Sequence, residues 1–385
     1  MRFCNRCNHK ATERTAWGSM SRCFATILLL LGVVNGFPRP GICQTSTELQ
    51  SYFKQDIGLN QDQIDDIHKG EPVAKVMKSR TPADIIIFGA IHINATPESY
   101  IELFKDFDRL RTLPIYLAVG EFSIPPAVSD LNGFSFEAED VKELKSCKPA
   151  DCKIQLPAKS MEAYQKSIDW NAPDVQQRVN QLLRQRTLER LQAYQRDGNP
   201  ALITYDDKDH LVDTAKQFES ILSYAQTLPA NLPDFHRYLL AYPDAKPANT
   251  QDIFYWANEN FGLKPTLRVI HVIIMQAQSA NEPAYAIAEK QLYASHYFQT
   301  ALTLTFLVRD AEGSKPAGFY LLRAMGSTQA GLTGFKGSII RRKAVKRAAS
   351  SLKESLQDIK NNLENLGGGQ TSLISFPILH AYSCQ

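Results

Sequence analysis

The sequence predicts an α+β fold built on a large antiparallel sheet wrapped around a long C-terminal helix, and three features predict it. Five strand-like runs follow one another after Pro247, separated by Gly, Pro, Asn and Asp. Several of these runs are apolar on both parities, so the sheet must be covered on both faces. One amphipathic stretch, 337–366, closes the periodic part of the chain with apolar residues every three to four positions. An additional helical insertion is expected over about 159–245.

The elements can be justified in order. "STELQSYFKQDIG" and "NQDQIDDIHKG" each place apolar residues three to four apart and stop at a glycine, which predicts two short helices. "PVAKVMK" and "ADIIIFGAIHINA" read as strands rich in β-branched residues. Thr96, Pro97 and Glu98 form a helix start, so "TPESYIELFKDFDRL" is the next helix. "LPIYLAVGEFS" is a third strand, and a loop and short helix lead to "CKPADC". In "PDVQQRVNQLLRQRTLERLQAYQRDG" one apolar stripe runs through Val175, Val179, Leu182, Leu183, Leu191 and Tyr194, and the helix ends at Gly198. Two further helices, the second bounded by prolines, bring the chain to the strand block. In "RVIHVIIM", Val269, His271, Ile273 and Met275 share one face, and Ile270, Val272 and Ile274 the other. "EKQLYASHYFQTALTLTFLVRD", 289–310, holds the end of one run and all of the next, "HYFQTALTLTFLVRD", and a single strand parity is read across it. Its parity sets His296, Phe298 and Leu302 on one side and Tyr293, Tyr297 and Gln299 on the other.

Composition is that of a globular chain with a sizeable core: 44% hydrophobic and 22% charged residues. Forty-three basic against forty acidic residues are too balanced to indicate nucleic acid. From Met20, a basic start at Arg22, an apolar run Cys23–Val34 and small residues beyond it have the layout of a secretory signal peptide. The alternative is an uncleaved N-terminal anchor. The domain reading is therefore a leader or anchor over 1–43, one α+β domain over 44–366 and a tail over 367–385. An exported chain permits disulfides, and Cys147 and Cys152, with four residues between them including Pro149, can close a small loop.

The order of elements resembles the helix-grip fold of START-like and polyketide-cyclase-like proteins. The residues that carry this are "ADIIIFGAIHINATPESYIELFKDFD", like the family's strand leading into a helix over the cavity, and the "LTLTFLVRD" to "KNNLENL" end with its gripping helix. The resemblance covers about 60% of the chain, and the helices of 159–245 depart from it. It implies an apolar pocket between sheet and long helix, of the kind that takes sterols, phospholipids, polyketides or hormones in members of the superfamily.

Function is thus expected to be the binding of a hydrophobic small molecule or lipid between the late strands and the C-terminal helix. Tyr293, Tyr297, Gln299, His296 and Arg323 are the candidate lining residues: hydroxyls, imidazole and guanidinium that would orient a largely apolar ligand. The alternatives are an enzyme in the same cavity with His296 or His92 as general base, and a membrane-associated structural protein of the envelope. "YDDKDHLVD" gathers carboxylates and His210 without the spacing of a calcium loop, and reads as a solvated helix start. No metal, cofactor or catalytic signature is found: there is no nucleophile elbow, zinc-helix motif or phosphate loop. Arg341, Arg342, Lys343, Lys346 and Arg347 crowd the start of the long helix, where they oppose its dipole. An anionic membrane surface would offset that cost.

Overall fold

The computed structural model describes residues 46–224, 232–276, 283–310 and 318–365; the leader or anchor and the tail lie outside them. Helix α1 (Ser46–Ser51) runs into a π-turn at Tyr52–Asp56, and α2 (Gln61–His68) follows. Asn60 and Gln63 cap α2 reciprocally, each side chain accepting from the other's backbone N–H. Strands β1 (Val73–Val76) and β2 (Asp84–Ile93) form a hairpin. The single helix expected next is two: α3 (Pro97–Phe104), capped by Thr96, and α4 (Phe107–Leu110). Asp106 breaks it, because its carboxylate accepts from the Arg109 N–H at 2.9 Å and starts a new helix.

Strand β3 (Tyr116–Glu121) leads to α5 (Ala138–Leu144), α6 (Ala158–Ser167) and the long α7 (Val175–Asp197). A two-strand ribbon, β4 (Thr204–Tyr205) and β5 (Val212–Asp213), precedes α8 (Thr214–Tyr224) and α9 (Pro233–Ala241). The five-strand meander is β6 (Thr250–Glu259), β7 (Thr266–Gln276), β8 (Tyr285–Ala294), β9 (Phe298–Arg309) and β10 (Phe319–Gln329). Helix α10 (Gly334–Asn365) follows it.

All eight long-sheet strands pair antiparallel in the order β1-β2-β10-β9-β8-β7-β6-β3. The α+β class, the meander and the long terminal helix are therefore as expected. Strand alternation divides the core into two clusters. On one face, Phe88, Leu322, Leu304, Ala288 and Ile273 pack under α1, α2 and the helices α6–α9. On the other, Ile91, Leu321, Leu307, Ile287 and Val272 pack under α3, α4 and α10. Helix α10 lies across β2, where Gly89 lets Leu352 and Leu356 approach the strand backbone.

The stretch 289–310 is two strands, and the single parity read across it does not hold. Residues 295–297 turn between β8 and β9, with Tyr297 at φ 61°. The β9–β10 register then shifts between Thr328 and Gln329, where Gln329 pairs with Phe298. Phe298 thereby joins the α10-side core with Ala301 and Leu307, while Leu302, Leu304 and Phe306 face the other way.

Candidate functional site

A cavity of about 340 Å³ lies on the sheet face opposite α10. Its floor is β2, β10 and β9, through Phe88, Ala324, Gly326, Leu302 and Leu304. Ile57 at the end of the π-turn closes one side and Ile221 of α8 the other. Gly326 is needed where it is, since a β-carbon there would come within 2.5 Å of Ile221. The rim is different: Lys78, Arg80 and Asp56 are exposed around an otherwise apolar wall. Lys78 and Arg80 come from the β1–β2 hairpin loop. A cavity of this size is what a small ligand needs, and cations at an apolar mouth match a molecule with one anionic end.

The five residues singled out by sequence do not converge on this cavity. Tyr293, at the end of β8, borders a small apolar gap beside α7, shared with Arg190 and Tyr194. His296, in the β8–β9 turn, sits 3.3 Å from the buried Asp140 carboxylate, which also pairs with Lys264 at 2.5 Å. Burial raises the Asp140 pKa, but His296 and Lys264 outweigh it and hold the carboxyl below its usual range. The Tyr297 hydroxyl accepts from the Lys264 N–H at 3.2 Å, and Gln299 accepts from the Gln217 amide at 3.0 Å. Arg323 lies on the opposite sheet face, buried, donating to Tyr100 Oη at 2.6 Å and Thr305 Oγ1 at 3.2 Å. Only the neighbours Tyr297 and His296 share a setting, around Lys264 and Asp140.

Arg323 belongs to a buried polar layer that the sequence reading missed. Glu259 and Arg268 pair at 3.0 Å, both in the core, and Arg268 also donates to Gln291 Oε1 at 3.1 Å. Glu289, 4% exposed, has neither carboxylate oxygen hydrogen-bonded. Burial pushes its pKa up to about 7, against the downward pull of Arg323 and Arg268 and with a push from Glu259. It borders a gap of about 10 Å³ beneath Phe104, Phe107 and Leu110, room for about one water. The sequence signal was available: "EKQ", 289–291, sets three polar residues inside a strand that is otherwise apolar.

The other face has its own polar chain. His271 Nε2 is 2.8 Å from Asp252 Oδ1, its Nδ1 is 3.0 Å from the Tyr194 hydroxyl, and that hydroxyl is 3.2 Å from Lys290 Nζ. Lys290 also donates to Asn199 and sits 3.8 Å from the Phe218 ring centroid. Burial drives the Lys290 pKa far below its usual value. Every member is partnered, so this chain reads as core structure. His92 is likewise held, 3.2 Å from Asp310. Among the described residues no cluster of His, Cys, Asp or Glu could hold a metal ion. In "YDDKDHLVD", Asp213 caps the start of α8, accepting from the Lys216 N–H at 3.1 Å. Cys147 and Cys152 are bonded as expected, with S–S 2.06 Å and Cα–Cα 4.6 Å. Comparisons with family models, curated proteins and solved structures give no match to this chain.

Proposed function

We propose that this protein is an exported binder of a hydrophobic small molecule with one anionic end, such as a fatty carboxylate. The cavity of about 340 Å³ under α8 carries the reading, because its walls are apolar and its mouth carries Lys78 and Arg80 against the single acid Asp56. The ligand's apolar part would be buried against Phe88, Leu302, Leu304 and Ile221, at about 0.8 kcal/mol per methylene. Lys78 and Arg80 would face its charged end. The cavity lies across the sheet from α10, not between the late strands and that helix as the sequence suggested. The Arg22 and Cys23–Val34 layout supports export.

Titration with saturated carboxylates of increasing chain length tests this. Affinity is expected to rise about fourfold per methylene until the cavity is full. Lys78→Glu should weaken the carboxylate about tenfold while leaving the matching alcohol almost unchanged, and Ala324→Phe should block both. No binding of either series, or affinity that ignores chain length and Ala324→Phe, would sink the proposal.

A further inference from the structure

We propose that the first turns of α10 dock on an anionic lipid surface, with Phe335 and Ile339 entering the interface and lysines and arginines around them meeting the headgroups. From Gly334 to Lys353 the helix carries seven basic residues and no acidic one. At about 100° per residue, Phe335, Ile339 and Lys346 project within about 40° of one another, with Arg342 and Lys343 on either side. The opposite pole, Ala344 and Ala348, is packed on the sheet. Phe335 is 84% exposed and Ile339 48% exposed, so two large apolar side chains stand in water at the centre of a cationic ring.

That combination selects a bilayer over other polyanions. An interfacial helix needs both kinds of residue, apolar side chains to enter the acyl boundary and cations to meet the headgroups, and a soluble polyanion such as heparin would use the cations alone. Among the described residues no helix is long and apolar enough to cross a membrane, so the contact would be peripheral. Arg341 is not part of the docking face. Its guanidinium donates to Pro82 O at 3.0 Å, Ser79 Oγ at 2.8 Å and Asp84 O at 3.1 Å, tying α10 to the β1–β2 hairpin loop. That loop carries Lys78 and Arg80 of the cavity rim. Docking would therefore bring the mouth near the lipid; only this last consequence rests on the binding reading above.

A Phe335→Trp full chain reports docking at the site itself, read against the unchanged chain as the background for its own tryptophans. On vesicles of phosphatidylglycerol and phosphatidylcholine its emission should shift to the blue and be quenched by brominated lipid. Pure phosphatidylcholine should give neither effect. Adding Arg342→Glu, Lys343→Glu and Lys346→Glu should weaken the response about a hundredfold or more. Ala324→Phe, which fills the cavity without changing any charge, should leave it intact, which separates a failure of docking from a failure of ligand binding. Absence of the shift on anionic vesicles, an equal shift on neutral ones, or heparin binding with the introduced indole unquenched by brominated lipid would each overturn the proposal. The last outcome would assign the patch to a soluble polyanion.

Discussion

Glu289 is the residue whose environment is least compensated. A carboxyl buried at 4% exposure with no hydrogen bond loses its hydration, and the nearby guanidiniums of Arg268 and Arg323 are already engaged with Glu259, Tyr100 and Thr305. Its pKa rises to about 7, so at acid pH the native state holds it neutral. Gln is nearly isosteric with that neutral form. Glu289→Gln should therefore change stability little at pH 4 and stabilise at pH 8, by on the order of 3 kcal/mol if the whole shift is recovered. Urea denaturation of both proteins at the two pH values checks this. An equal effect at both would show that Glu289 ionises freely in the fold. Arg323 shows a different limit of single-residue reading: flanked by apolar neighbours in "YLLRAMG", it could be surface or core, and only its register opposite Gly89 and Thr305 decides.

Among the elements, α10 and β2 are fitted to each other through one absent side chain. A β-carbon on Gly89 would lie 2.7 Å from Leu352 Cδ2 and 2.9 Å from its Cγ, atoms that are themselves packed in the core. Gly89→Ala should thus cost about 1–3 kcal/mol through overpacking, and Gly89→Ala with Leu352→Ala should cost less than the two changes added together, since each relieves the other. Thermal unfolding of the three variants tests it, and strict additivity would show that helix and strand do not press on each other. The meander, α10 and the capped start at Thr96 were legible because their signals are local: period, β-branching, a capping side chain. The break between α3 and α4 and the change of parity at the β8–β9 turn were not. The turn at 295–297 lacks Gly, Asn or Pro, since Tyr297 itself takes the left-handed conformation, and Asp106 looks like one more polar residue on a continuous helix. Which helices cover which sheet face, and hence where the cavity lies, depends on pairings between distant strands that no local pattern carries.

At the scale of the whole molecule, the adjacent pair Glu289 and Lys290 sends one buried ionisable group to each face of the sheet, and each face answers with its own network. The two faces then respond to pH in opposite directions. His271, on the Lys290 side, has its pKa lowered to about 4, first by burial, against the pull of Asp252. As pH falls from about 6.5 to about 4 the unfolded chain takes up a proton that the native imidazole refuses, so stability is lost toward acid. Glu289, on the other side, keeps its proton up to about pH 7 while the unfolded carboxyl releases it near 4.5, so stability is lost toward alkali. Between about pH 4.5 and 6.5 the two slopes oppose and cancel in part. Removing one should expose the other: relative to the unchanged protein, Glu289→Gln should gain stability steadily as pH rises through this window. His271→Asn, though destabilised by the loss of its bonds to Asp252 and Tyr194, should lose ground over the same range. Parallel stability curves for all three proteins would mean that neither group is held in its neutral form by the fold. Curves that diverge in these opposite senses would show that a sheet buried on both faces carries its ionisable groups as two balanced, separately covered layers.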